Sequence, residues 1–136
     1  MEMFANIKEF QQFAMKIRRN MIVSIYFAGS GHPGGALSCA DLLAYLWGQE
    51  LRFDKDNPRW EGRDRFILSK GHACPALYAA AAEMGVIPRS QLITLRKLGS
   101  PLQGHPHVKA LPWVETSTGS LGQGFSVAVG MAMGLR

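Results

Sequence analysis

The first thirty residues place apolar side chains at helical spacing. The spaced positions are Phe4, Ile7, Phe10, Ala14, Ile17 and Met21. An apolar residue at every third or fourth position puts these side chains on one face of a helix. The pattern therefore predicts a helix from about residue 3 to residue 27, ending before Gly29, with its apolar face against a core.

A capping-box arrangement predicts where the next helix begins. Ser38 is followed three positions later by Asp41, and apolar residues then fill one side of the segment to about Leu51. The helix is followed by a charged loop that contains proline.

Two more helices are predicted in the middle of the chain. The alanine-rich segment "KGHACPALYAAAAEMG" favours a helix that stops at Gly85. Ser90 is predicted to open another helix, with Gly99 as the first residue after its end.

The remaining pattern predicts two short strands and a last helix. The segments "RFILS" (65–69) and Trp113 to about Ser117 are short and apolar enough for buried strands. The second leads into the glycine loop "TGSLGQG", which either presents backbone N–H groups to an anion or cofactor or is only a tight turn. The helix "FSVAVGMAMGLR" that follows is apolar or small on every face and needs burial on all sides. We therefore expect a piece of a larger protein, or a helix that another chain covers, and self-association without that cover.

Composition limits the function classes. The 136 residues suffice for one domain, with 47% hydrophobic and 18% charged residues and a net charge of +5. Between Arg52 and Lys70 the basic residues alternate with acidic ones, so a nucleic-acid interface is not favoured. The sequence shows no signal-peptide pattern and no uninterrupted apolar span, and its two cysteines do not make a disulfide framework. These features predict a cytoplasmic protein.

All four histidines lie beside glycine or proline. His32 occurs in "SGHPGG", His72 in "KGHA", and His105 and His107 in "QGHPH". Loops of this kind run along the ends of helices and strands, where imidazole nitrogens are free for a ligand or a proton. Solvent-exposed loop histidines are the alternative. A zinc site with Cys39 and Cys74 is another, although the spacing matches no familiar zinc motif.

Four segments carry a family resemblance. In order and spacing, "SGHPGG", "RDRFILSKGHA", "LRKLGSPLQGHP" and "VETSTGSLGQGFSVAVGMAMG" resemble the N-terminal part of transketolase, most closely the type split into N-terminal and C-terminal sections. The resemblance implies the α/β fold of a thiamine diphosphate-binding domain, a parallel sheet with helices on both faces. Residues 1–136 would form its N-terminal portion, incomplete at the C-terminus and mostly helical with two short strands.

The resemblance also implies a chemistry for the loops. Transketolases of the pentose phosphate pathway use thiamine diphosphate and Mg²⁺ to move a two-carbon glycolaldehyde unit from a ketose phosphate to an aldose phosphate. By resemblance, His32 and His105 would be catalytic and face the donor sugar. His72 would reach the cofactor's diphosphate, and Gly119 and Leu121 would lie against its aminopyrimidine ring.

The same resemblance implies partners and limits. Sugar phosphates would be substrates, and a transketolase C-terminal section or a second subunit would complete a homo- or hetero-oligomer, with no role for nucleic acid or a membrane. The Gly-Asp-Gly motif that binds Mg²⁺ and diphosphate in the family does not occur in the sequence, so we expect the 136 residues alone to bind the cofactor poorly and to be inactive. His107, Trp113 and Pro101 depart from the family pattern. A non-catalytic interaction module derived from this fold, or a histidine-based metal-binding protein, remains the alternative.

Overall fold

A computed structural model describes residues 4–136, and helices form all of its regular secondary structure. The α-helices are α1 (Ile7–Ala28), α2 (Pro33–Leu37), α3 (Ala40–Tyr45), α4 (Cys74–Glu83) and α5 (Gln123–Gly134). A π-helical turn, Leu46–Glu50, continues α3, and 3₁₀ turns occupy Gly71–Ala73 and Arg89–Thr94.

The two predicted strands do not form. Residues 65–69 and 113–117 contain no strand, and none occurs elsewhere in residues 4–136. A strand needs a neighbour to satisfy its backbone groups, and backbone carbonyls of both segments accept side-chain hydrogen bonds instead. Thr118, for example, donates its hydroxyl hydrogen bond to the Leu68 carbonyl at 2.7 Å. The mostly helical character is confirmed, whereas the two short strands are not confirmed, since residues 4–136 contain no strand.

Helix α1 begins later than its apolar pattern predicts. Residue 3 lies outside the described residues, and the helix begins at Ile7. The Asn6 side chain accepts a hydrogen bond from the Glu9 N–H at 3.1 Å, while Glu9 accepts one from the Ala5 N–H at 2.9 Å. These reciprocal bonds fix the first turn. The predicted end is confirmed, because Gly29 follows the helix with a left-handed φ of 63°.

The predicted capping box before α3 is wrong. The Ser38 hydroxyl donates to the Gly35 carbonyl at 3.0 Å rather than receiving a bond from α3. Asp41 forms an ion pair with Arg18 on α1. Asp41 therefore ties α3 to α1 instead of capping its own helix.

Helix α4 is the centre of the core. Every residue from Cys74 to Ala82 is buried, and the helix packs against α1, α3 and the turn Arg89–Thr94. Alanine side chains allow this close approach of helices on several sides. Gly85, with φ 72°, follows the helix end as predicted.

The segment after Ser90 forms a shorter element than predicted. A 3₁₀ turn ends at Thr94, and Arg96 then adopts a left-handed φ of 60°. The Arg96 N–H bonds to the Leu102 carbonyl at 2.8 Å, which turns the chain out of the helix before Gly99. The prediction of a helix that continues to Gly99 is therefore wrong.

Helix α5 is the apolar helix that the sequence predicts. Of its residues only Gly124 is buried, and Phe125 and Met133 are 71% and 69% exposed. Its first turn is held against the segment before His72, since the Ser69 hydroxyl accepts the Phe125 N–H at 3.1 Å. No helix in the described part of the chain is long and apolar enough to cross a membrane.

Candidate functional site

Three of the four histidines converge in the structure. The ring centroids of His32 and His72 are 5.0 Å apart, and those of His72 and His105 are 4.7 Å apart. Both ring pairs meet edge to face, so the imidazoles form a row with His72 in the middle. We call these three residues the histidine cluster.

The His32 loop is held by its neighbours in sequence. His32 is the N-cap residue of α2, and Pro33 is the first residue of that helix. Gly31 has φ 154°, and a side chain there would approach the Ile25 side chain to 3.0 Å. Glycine therefore lets the chain pass close to α1, while proline restricts the backbone after the imidazole. His32 is the exposed end of the cluster.

His72 is placed by a tight contact between two loops. It lies in the 3₁₀ turn that leads into α4, next to the buried Gly71. A Cβ atom on Gly71 would lie 2.7 Å from the carbonyl oxygen of Thr118 and 2.9 Å from the nitrogen of Gly119. The His72 turn and the glycine loop are thus in backbone contact. The His72 Nδ1 atom is buried without a hydrogen-bond partner, so it is free to bond to a ligand.

The His105 loop is anchored from below by α4. The buried Tyr78 hydroxyl lies 3.0 Å from the Gln103 carbonyl and 3.2 Å from the His105 carbonyl, and the Cys74 thiol donates to the Gly104 carbonyl at 3.2 Å. These bonds hold both sides of the loop against a helix whose own position is fixed by the core.

The environment of the His105 ring favours its neutral form. Burial lowers the pKa of His105 below 6.5, and the nearby His72, Arg96 and His32 lower it further. A neutral imidazole can accept a proton at one ring nitrogen and donate at the other, which is the requirement for acid–base work near neutral pH.

The glycine loop reaches the cluster at one of its two predicted residues. A Cβ atom added to Gly119 would lie 3.5 Å from Cδ2 of His105, so Gly119 faces that ring and leaves a space of about one methyl group beside it. Leu121 is 70% exposed, and its side chain has no recorded contact with the imidazoles. Gly122, with φ 91°, then turns the chain into α5.

His107 does not join the cluster. It is exposed, and its carbonyl accepts the N–H groups of Ala110 and Leu111 at 3.1 Å each. Within residues 4–136, no group of three or more His, Cys, Asp or Glu side chains could hold a metal ion. Cys39 and Cys74 are free and buried, and burial raises the pKa of Cys74 to about 12. The described residues therefore offer no support for a histidine–cysteine zinc site.

The cluster fits thiamine diphosphate in part. An unpartnered buried imidazole nitrogen on His72 and the bare backbone of Gly119 beside His105 suit a polar, flat heterocyclic ligand with an anionic group. The described residues contain no group of three or more His, Cys, Asp or Glu side chains that could hold Mg²⁺.

Two residues of this site carry no clear sequence signal. Tyr78 lies within an alanine-rich run and is typical of a core residue, so only the structure reveals its bonds to the His105 loop. Arg96 resembles an ordinary surface arginine in sequence, yet its guanidinium lies against Gly104.

The class of this domain follows from comparison with known families: it is a thiamine diphosphate-binding domain. The family model "Transketolase, thiamine diphosphate binding domain" matches residues 10–136. The chain belongs to the transketolase family.

Relatives of two lengths match the chain. A transketolase of Pongo abelii is 46% identical over 119 residues, which cover 88% of this chain and 19% of that protein. The 6-deoxy-6-sulfo-D-fructose transketolase subunit SqwG of a Clostridium strain is 44% identical over 128 residues. These residues cover 94% of this chain and 46% of that protein. The chain thus spans less than half the length of either relative.

Solved structures agree with the family assignment. The crystal structure of transketolase from Campylobacter jejuni superposes with a TM-score of 0.85 at 38% identity, covering 94% of this chain and 20% of that one. The structure of a transketolase from Leishmania mexicana superposes with a TM-score of 0.84 at 34% sequence identity. The comparisons support the transketolase hypothesis over the alternative, a non-catalytic interaction module derived from this fold or a histidine-based metal-binding protein.

Proposed function

We propose that this chain supplies the substrate-facing wall, and part of the cofactor-facing wall, of a transketolase. The reaction is the transfer of a two-carbon glycolaldehyde unit from a ketose phosphate to an aldose phosphate. The observation that carries the proposal is the row of three imidazoles, whose His105 end faces Gly119 across a space of about one methyl group. Aligned hydrogen-bonding rings of this kind suit a substrate rich in hydroxyl groups.

Each residue of the cluster has a role in this proposal. His32, at the exposed end, donates a hydrogen bond to the hydroxyl and carbonyl region of the donor sugar. His105, kept neutral by its surroundings, accepts or donates a proton at an oxygen of the same substrate. His72 offers its unpartnered Nδ1 as a hydrogen-bonding atom for the cofactor's diphosphate or for substrate.

The glycine loop is the proposed contact for the cofactor ring. Gly119 leaves a flat backbone surface, and Leu121 offers an exposed apolar side chain two residues further on. When bound, thiamine diphosphate supplies the carbanion that attacks the carbonyl carbon of the donor. Both residues therefore act by contact with the aminopyrimidine ring and not in proton transfer.

The remaining parts of the site come from outside these residues in our proposal. Mg²⁺ is held by ligands that a transketolase C-terminal section, a second subunit or further residues of the domain provide, in a homo- or hetero-oligomer. The name of the SqwG relative, a transketolase subunit, supports a two-part assembly. A cytoplasmic protein of the pentose phosphate pathway, acting on sugar phosphates without nucleic acid or membrane, is consistent with the charge pattern of the sequence.

A chimeric enzyme tests the proposed function. Residues 10–136 replace the aligned segment of the Campylobacter jejuni transketolase, whose backbone they match. We expect two-carbon transfer between sugar phosphates that depends on added thiamine diphosphate and Mg²⁺. His72→Ala in the chimera is expected to weaken the apparent affinity for the cofactor by about tenfold, the effect of one charge-assisted hydrogen bond.

The outcome that overturns the proposal is specific. A chimera that folds, assembles and binds the cofactor but transfers no two-carbon unit with any ketose phosphate would show that these loops no longer support the reaction.

A further inference from the structure

Arg96 has a backbone conformation that needs an explanation. It is the one residue other than glycine with a positive φ among residues 4–136, at 60°. L-residues with side chains avoid this region unless surrounding structure imposes it, and such residues are concentrated at functional sites. Asparagine or glycine would adopt the turn more easily, so an arginine side chain at this position calls for a role of its own.

The Arg96 side chain lies between two loops of the histidine cluster. Its Nη1 donates a hydrogen bond to the Ser30 hydroxyl at 3.2 Å, on the loop that carries His32. Its Nε and Nη2 face Gly104, where an added Cβ would lie 2.7 Å and 3.0 Å from them. Gly104 immediately precedes His105, so the planar guanidinium lies against this loop in space that a side chain at residue 104 would take.

We propose that Arg96 is a positioning residue that ties the His32 loop to the His105 loop and holds a fixed positive charge against the loop that carries His105. The proposal rests on the proposed function, in which His105 exchanges a proton with substrate. It adds a residue that acts on the reaction through His105 and not by contact with the cofactor.

The charged and titratable groups around His105 come from several elements. They are His72 in the turn before α4, His32 before α2, Cys74 and Tyr78 on α4, and Arg96 itself. Cys74 and Tyr78 stay uncharged near neutral pH, since burial raises the pKa of both groups. Arg96 is therefore the permanent charge of this set, and it disfavours protonation of the ring whatever the state of the other histidines.

Ring titration in the full chain tests the proposal. The pKa of each histidine is read from the imidazole Cε1–H signals in NMR spectra at low ionic strength. In Arg96→Gly the charge is lost and the backbone strain is relieved, since glycine adopts φ 60° freely. We expect the pKa of His105 to rise by about half a pH unit, and the His32 ring signal to shift.

Two further variants separate charge from structure. Arg96→Lys keeps the charge and should leave the pKa of His105 within about 0.2 unit of the wild-type value. Lys97→Gln removes one positive charge from the next residue. It should change neither the pKa of His105 nor the ring signal of His32. Circular dichroism confirms that each variant is folded.

The proposal is overturned if Arg96→Gly leaves the pKa of His105 unchanged, or changes it no more than Lys97→Gln does. It is also overturned if the His32 signal does not respond to Arg96→Gly, because the two loops are then not linked. Neither result bears on two-carbon transfer by the chimera, so failure here is distinguishable from failure of the proposed function.

Discussion

Gly71 has no room for a side chain, and the contact that fills this space joins two loops of the site. Gly71→Ala places a Cβ atom 2.7 Å from the Thr118 carbonyl oxygen, 2.8 Å from its carbonyl carbon and 2.9 Å from the Gly119 nitrogen. All three are backbone atoms, so no flexible side chain can move aside. The His72 turn and the glycine loop must separate by several tenths of an ångström.

The expected cost follows from this geometry. Inserting a methyl group into a packed site that cannot relax costs about 1–3 kcal/mol, and two backbone segments in contact favour the upper half of that range. We expect Gly71→Ala to lower the free energy of unfolding by about 2 kcal/mol in urea titrations, with an unchanged slope. The His105 ring, which faces Gly119, should show a shifted NMR signal.

Gly130→Ala is the matched control. No atom lies within 4 Å of a Cβ at Gly130, which is an exposed position inside α5. Alanine is favoured over glycine within a helix by roughly 0.5–1 kcal/mol, so this variant should be slightly more stable than wild type. An unfolding midpoint for Gly71→Ala at the same urea concentration as wild type would contradict the close contact between the His72 turn and the glycine loop. An unchanged His105 signal in this variant would contradict it as well.

Three further predictions concern buried groups. Tyr78→Phe removes the hydroxyl that holds the His105 loop and should lower the free energy of unfolding by about 1–2 kcal/mol in urea titrations. Tyr45→Phe, at an exposed position, should lower it by under about 0.5 kcal/mol, and equal losses in the two variants would contradict the contact of Tyr78 with the loop. The Arg63 side chain is 7% exposed, and Glu115→Gln removes the carboxylate that pairs with its guanidinium. This substitution should lower the free energy of unfolding by roughly 3 kcal/mol, whereas a loss below about 1 kcal/mol would show that the ion pair is solvated. Because burial raises the pKa of Cys74 to about 12, Ellman's reagent at pH 8 should not label this thiol until urea unfolds the chain, and rapid labelling would contradict its burial.

The sequence predicts the helices well where one physical signal dominates. The end of α1 before Gly29 and the end of α4 before Gly85 follow from local patterns that the structure keeps. The predicted apolar face of α1 buries Ala14, Ile17 and Met21 but leaves Ile7 69% exposed. The capping box at Ser38 fails because Asp41 has a stronger partner in Arg18, which is distant in sequence. Local patterns cannot register such a competitor.

The strands and the site differ in predictability for a related reason. The segments 65–69 and 113–117 have apolar composition suited to strands, but composition does not supply a neighbouring strand. The histidines are conspicuous because each lies beside glycine or proline, and three of the four converge. Arg96 and Tyr78 could not be found in this way, since their roles depend on loops brought together by the fold.

A comparison of His105→Ala with His107→Ala in the same chimeric enzyme tests whether the histidine cluster faces the substrate. The quantity compared is the rate of two-carbon transfer. The two histidines are two residues apart, yet the His105 ring packs edge to face on His72 and faces Gly119, whereas His107 is exposed. We predict that His105→Ala lowers kcat/KM by about 10²-fold or more, the usual contribution of a positioned acid–base group, while His107→Ala stays within about twofold of the parent. Equal effects of the two substitutions would contradict the assignment of the histidine cluster as the substrate-facing site.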